Sequence, residues 1–399
     1  MSAQAHFRIT RLATQLAVHR AFQWLHLHQP QLRLWQLEFL AIPAPPFGES
    51  ARAAWFCNKF HELGLESSGI DAEGNATAEL SASPGRPSIL LSAHLDTVFP
   101  AGTDTTPRES PDDNVIHSPG ACDNGAGLTA LLAIAAALRH ARIETAQPIL
   151  FVANTGEEGE GDLRGMRHLF ERGPFRNRIA AAIALEGAGT PAVVTRALGS
   201  RRYRVTISGP GGHSWSDAGA PNPITLLARG LSELADLALP SDPRTTLNPG
   251  QITGGTSINS IPSEASVLLD LRSTDPHQIL TVEREIHRTF ELLIQRSSSA
   301  HPPATLAIEL IGDRPAAELP ADSPILRTIR AVDRHLNLRT ELRLGSTDAN
   351  LPLSLGIPAV AMAAGGTGGG IHTLAEWYDP TGRETALRRI LLTLLDLAN

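Results

Sequence analysis

Ser88-Ile-Leu-Leu-Ser-Ala-His-Leu-Asp96 is the stretch that decides the fold. Residues 88–93 form a nearly continuous apolar run, the pattern of a strand buried on both faces. The run stops on two groups with chemistry, His94 and Asp96. The same pattern returns at Pro148–Ala153, Ala180–Leu185 and Pro358–Met362. Between the first two runs lies Gly127–Arg139, apolar nearly all round, which reads as a buried helix. Strands alternating with helices predict an α/β domain with a mostly parallel central sheet. Upstream, the spacing of Leu32, Leu34, Leu37 and Leu40 predicts a helix over 31–41, ended by Pro43, Pro45 and Pro46. A further helix is predicted from Glu49 to Leu63, stopped at Gly64.

Near Arg196 the pattern changes. Arg202–Ser208 alternates polar and apolar residues, as a sheet with one wet face requires. A helix over about 224–239, a strand pair ending in 266–272, a helix over 276–295 and a strand over 304–311 complete the order β-α-β-β-α-β. The chain therefore reads as a catalytic α/β domain in two parts, 1–196 and 314–399, with a ferredoxin-like α+β domain inserted at 197–313.

Composition narrows the function. The chain has 399 residues, 42% of them hydrophobic and 19% charged, enough for a sizeable core and too apolar for wholesale disorder. A net charge of -7 gives no electrostatic reason to expect a nucleic-acid partner. Two cysteines, Cys57 and Cys122, make no disulfide framework and suggest a reducing, cytoplasmic setting. No apolar run approaches the ~20 residues of a membrane span, and no signal-peptide pattern opens the chain. The first acidic residue is Glu38, although Arg8, Arg11, Arg20 and Arg33 precede it. Such a segment could lie on a membrane or act in targeting; the simpler expectation is one surface helix packing Leu12, Leu16, Ala17 and Phe22 onto the body.

Polar residues fall at telling places. His94 and Asp96 follow the first apolar strand, Glu157 and Glu158 the second, and Glu186 the third. Asp123 opens the buried helix at a Gly-rich turn, and His372 follows the glycines 368–370. Singly, each is ordinary: a hydrogen-bonded histidine, an N-cap aspartate, a solvated Glu-Glu pair, a carboxylate neutralising an arginine. Together they stand where an open α/β sheet gathers its ligands, beyond the carboxyl ends of the strands. Two imidazoles and three carboxylates suit two divalent ions, zinc first, with manganese or cobalt as alternatives. One carboxylate must bridge, because two cations ~3.5–4 Å apart otherwise repel without relief. A water bridged between them loses a proton near neutral pH and becomes the nucleophile. Glu157, beside Glu158, is placed to take that proton. Asp96 is placed to hold the second nitrogen of His94 and fix its tautomer.

The segments Ser92-Ala-His-Leu-Asp-Thr-Val98, Gly120-Ala-Cys-Asp-Asn-Gly-Ala-Gly127, Thr155-Gly-Glu-Glu-Gly159, Gly211-Gly-His-Ser-Trp215 and Gly370-Ile-His-Thr373 resemble, in order, those of the M20 metallopeptidases. That family includes glutamate carboxypeptidase, tripeptide aminopeptidase, acetylornithine deacetylase and succinyl-diaminopimelate desuccinylase. The resemblance implies that His94, Asp123 and Glu186 hold one metal and Asp123, Glu158 and His372 the other. It further implies that Glu157 is the general acid/base and Asp96 a carboxylate behind a ligand. It makes the inserted domain a lid through which many members dimerise, with His213 reaching the partner's site to stabilise the oxyanion. Asn259, Gly345 and Gly365 match substrate-side positions of the family.

Branch is left open. Asp123-Asn124-Gly125 stands where deacylases and carboxypeptidases carry Asp-Met-Lys, which resembles the tripeptide aminopeptidase side. Glu186 resembles the deacylase and carboxypeptidase side. The expectation is a two-metal hydrolase of small peptides or N-acyl amino acids. The alternatives are an aminopeptidase needing a free amino terminus and an inactive scaffold or binding protein of the same fold.

Overall fold

The structure is a computed structural model that describes residues 3–65, 67–80, 85–109, 114–297 and 302–399. It divides into two compact units, residues 1–197 with 318–399, and residues 198–317.

In the first unit Ile149–Asn154, Ser88–His94, Ile179–Leu185 and Ala359–Met362 lie side by side and parallel, in that order. Antiparallel strands Ala76–Leu80 and Ala192–Ala197 flank them. The four parallel strands are the apolar runs of the sequence, and they are continuous because both faces of the sheet are covered. Helix Gly125–Ala141 packs on this sheet and under the N-terminal helices, so almost every one of its residues is buried. Parallel pairing in register sets His94 beside Asn154 and Leu185 beside Met362, which brings the carboxyl ends of all four strands to one edge. Among the described residues no helix is long and apolar enough to cross a membrane.

The N-terminal expectation needs correction. Residues 3–27 form two helices, Ala3–Ala13 and Leu16–Leu27, not one. The break at 14–15 resets the helical phase, so Ile9, Ala13, Val18, Ala21 and Leu25 are buried and Leu16 stays 67% exposed. In the third helix, Gln29–Leu40, the buried face likewise runs through Leu32, Trp35, Gln36, Phe39 and Leu40, leaving Leu34 outside.

The second unit is a four-stranded antiparallel sheet in the order Thr245–Gly254, Glu264–Ser273, Gly199–Ser208, Thr305–Arg314. Helices Pro223–Ala235 and Pro276–Ser297 cover one face and complete a βαββαβ unit. Alternate residues Tyr203, Val205, Ile207 and Val267, Leu269, Leu271 point into a core closed by Leu227, Ile286 and Phe290. Helix Pro223–Ala235 ends four residues short of the expected 239, with Pro240 following too closely for another turn. A two-stranded ribbon, Gly212–His213 with Ser260–Ile261, stands apart from this sheet.

The C-terminal helix Arg383–Ala398 is joined to Pro324–His335 by a buried ion pair: Arg389 donates from Nε and Nη2 to Asp333 at 2.6 and 2.8 Å. Asp333→Ala leaves the fully buried Arg389 guanidinium its carbonyl acceptors at 190–192 but no counter-charge, and such losses destabilise by about 3–5 kcal/mol. Chemical denaturation followed by circular dichroism should show that drop.

Candidate metal centre

Each acidic or imidazole group at the sheet edge is placed by the element before it. His94 is the last residue of its strand, Glu186 follows Ile179–Leu185 directly, and Glu157 and Glu158 follow Ile149–Asn154 by a short turn. Asp123 precedes helix Gly125–Ala141, and His372 sits with φ 64° in the loop between strands Thr367–Gly369 and Trp377–Asp379. Their donor atoms gather within 4.8 Å in three sets: His94, Asp123 and Glu186; Asp123, Glu158 and His372; His94, Glu157 and Glu158. Asp123 is shared by its two oxygens. Oδ1 lies 3.1 Å from His94 Nε2, and Oδ2 lies 3.1 Å from His372 Nε2. Glu186 Oε1 completes one side at 3.4 Å from His94 Nε2, and Glu158 Oε1 the other at 3.0 Å from His372 Nε2.

Asp123 is free to do this because it is not the N-cap. Asn124 caps the helix instead. Its Oδ1 accepts the Gly127 N–H at 3.1 Å, and its Nδ2 donates to the Leu185 carbonyl at 2.8 Å. One amide thus starts the helix and steadies the strand end that presents Glu186.

Asp96 stands behind His94 with its backbone as well as its side chain. His94 Nδ1 donates to the backbone carbonyl of Asp96 at 3.0 Å, while the carboxylate stands back at 3.6 Å. A carbonyl can only accept, so Nδ1 carries a proton and Nε2 is the nitrogen that a cation would meet. The Asp96 carboxylate accepts the N–H groups of Glu157 and Glu158 at 3.0 and 2.7 Å, holding the turn that carries both.

His213 and Asn259 belong to the second unit, on neighbouring exposed turns of the ribbon, where the Ser214 N–H donates to the Asn259 carbonyl at 3.0 Å. Neither joins a donor set among the described residues. Gly345 ends strand Glu341–Gly345. Gly365, at φ 95°, is dictated by packing, since a Cβ there would stand 2.6 Å from Arg383 Cα.

Two buried carboxylates escaped the sequence reading. Glu376 accepts main-chain N–H groups of the Asp123 turn. Asp348 accepts from Asn154 Nδ2 at 2.8 Å, and burial, with the charge of Glu157 nearby, pushes it up to about 7. In the sequence Glu376 stands between Ala375 and Trp377, and Asp348 among the polar Ser346, Thr347 and Asn350, so neither stands out.

Electrostatics fit a cationic guest. The ion pairs of Asp123, Glu158 and Glu186 among the described residues are all to imidazoles, and Glu186 Oε2 is buried with no hydrogen-bond partner. Burial pushes Glu158 up to about 7 and Glu186 up to about 8. Burial opposes charge on His94, but Glu186, Asp123 and Asp96 outweigh it and hold the imidazole well above its usual range. The hydrogen bond to Asp123 pushes His372 up to about 9. Asp123 moves the other way: burial resists, yet bonds from His372 and His94 hold it below the usual carboxylate range. Without a metal these groups share protons that a divalent cation would displace. Mixed imidazole and carboxylate donors are the set such a cation takes.

The sequence pattern of peptidase family M20/M25/M40 matches residues 90–398. An acetylornithine deacetylase of Myxococcus xanthus is 28% identical over 313 residues, spanning 75% of this chain and 74% of its own. Aminopeptidase PepT of Bacillus cereus shares the fold, with a TM-score of 0.73 and 21% identity over 93% of this chain and 99% of its own. So does YXEP of Bacillus subtilis, described as a dinuclear metal-binding M20 peptidase, with a TM-score of 0.66 and 16% identity over 92% and 98%.

Raised pKa values set the sign of one expectation. Groups that hold protons near pH 7 must release them when metal binds, so affinity rises with pH. Zinc titration of metal-free protein should tighten by roughly tenfold per pH unit for each proton released between pH 6 and 8. The slope should lessen as His372 loses its proton near pH 9. A flat profile would mean that these groups are not the ligands.

Proposed function

Because the chain belongs to peptidase family M20/M25/M40, we propose that it is a two-metal hydrolase of amide bonds in small peptides or N-acyl amino acids. The observation that carries this reading is the division of Asp123, one oxygen toward His94 and Glu186, the other toward His372 and Glu158. His94, Asp123 and Glu186 would hold one ion, and Asp123, Glu158 and His372 the other. Zinc suits the donors best, and manganese or cobalt is acceptable. The ions supply Lewis-acid polarisation of the scissile carbonyl and acidity of the attacking water.

The chain supplies the rest. Glu157 is nearly buried, and its donor atom lies within 4.8 Å of those of His94 and Glu158. It is within reach to accept the water's proton and hand it to the leaving nitrogen. Asp96, gripping the amides of both glutamates, keeps base and ligand at fixed spacing. His213 Nδ1 accepts the Trp215 N–H at 3.1 Å, so a neutral ring carries its proton on Nε2, a donor suited to an oxyanion. In this reading His213 and Asn259 meet substrate in a homodimer. The edge strand Thr245–Gly254, exposed over its last seven residues, is the surface we assign to pairing. The free thiols Cys57 and Cys122 agree with a cytoplasmic setting.

Two measurements test the proposal. Glu157→Gln should lower kcat by at least ~100-fold with metal content unchanged, while Glu158→Gln should lose occupancy of one ion. Reversed outcomes would exchange the two roles. A cleavage panel of one dipeptide in free, N-acylated and C-amidated forms then sets the branch. Cleavage of the N-acylated form and refusal of the amidated one marks a carboxypeptidase or deacylase, and the opposite pattern an aminopeptidase. No cleavage of any form by zinc-loaded protein would sink both.

A further inference from the structure

Glu376 lies four residues beyond His372, at the foot of the same loop, and is 1% exposed. It belongs to no donor set among the described residues, and its carboxylate is occupied otherwise. Oε2 accepts the Gly120 N–H at 2.9 Å, and Oε1 accepts those of Cys122 and Asp123 at 2.8 and 2.7 Å. Its own carbonyl accepts the Ser118 N–H at 3.1 Å. The turn 118–123 is thus wrapped around one side chain from the far end of the sequence. A second contact joins the same two segments: Gly368 lies so close to Cys122 that a Cβ there would stand 2.5 Å from Sγ.

A merely structural clasp does not require a charge here. A buried carboxylate beside Asp123 suffers like-charge repulsion as well as desolvation. Three main-chain N–H groups hold the charge there without a cation, and the same charge also favours a cation nearby. Charge-assisted bonds to successive amides are short and directional, suited to fixing a ligand backbone before metal arrives.

We propose that Glu376 is the positioning residue of the metal centre, tying the His372 hairpin to the Asp123 turn so that Asp123, Glu158 and His372 are assembled before a cation binds. This rests on the two-metal reading above.

Amide hydrogen exchange on the unaltered full chain tests it, metal-free and zinc-loaded. Gly120, Cys122 and Asp123 should be protected in both states. Protection that arises only on adding zinc would overturn preassembly. Cobalt titration then asks whether the effect reaches the metal. Glu376→Gln should weaken one of two cobalt equivalents by ~10–100-fold and change its visible absorption, with partial recovery in Glu376→Asp. Unchanged cobalt affinities and spectrum, even with a lowered Tm, would reduce Glu376 to a structural clasp. If Glu376→Gln does not fold, Glu376→Asp and the exchange data decide. A wild-type chain that takes up fewer than two cobalt equivalents would instead refute the two-metal reading itself.

Discussion

Asp123 has to serve two imidazoles at once, one with each oxygen, and much of the first unit answers to that demand. A carboxylate at the start of a helix would ordinarily turn inward and cap it. Here Asn124 caps in its place and so releases Asp123 toward the strand ends. The two histidines come from opposite ends of the chain, so the hairpin that carries His372 must be anchored against the turn that carries Asp123. Neither imidazole can drift without breaking the sharing. Of the buried acids around them, Asp123, Glu158 and Glu186 face imidazoles, whereas Glu376 and Asp348 are held by amide N–H groups.

Much of this was legible in the sequence, for a physical reason. A parallel sheet covered on both faces needs unbroken apolar strands, and polar residues can enter only where those strands stop. His94, Glu158 and Glu186 stand out for that reason, and the alternation in Arg202–Ser208 similarly betrays a sheet with one wet face. What stayed hidden depends on main-chain geometry. Nothing in the residue types tells that Asn124 caps and Asp123 does not. Nor do they tell that the Asp96 carbonyl accepts from His94 while its carboxylate grips the amides of Glu157 and Glu158. Glu376 was invisible because its partners are amide protons, which every residue but proline owns. The phase error in the first helices has the same origin, since a two-residue break resets which side of a helix faces the core.

The second unit shows how a small domain can be specified almost independently. Its sheet is closed by its own two helices, and Tyr203, Val205 and Ile207 alternate with wet neighbours on one strand. Its ribbon, pairing His213 with Ser260, sits outside that core. Residues there are consequently shaped by local turns, as the Asp217 carboxylate shows by accepting the His213 N–H at 2.7 Å.

The distance in sequence between Asp123 and His372, 249 residues, has a consequence for the order in which a cell can make the centre. Synthesis runs from the amino end, so His94, Asp123, Glu158 and Glu186 leave the ribosome long before the last imidazole. A growing chain therefore carries an acid-rich, incomplete pocket for most of its translation. Only the hairpin over 367–379 supplies the missing ring and the anchor behind it. A chain that stops before residue 372 lacks the imidazole that faces Asp123 Oδ2 and Glu158 Oε1, however well the rest of the sheet edge is formed.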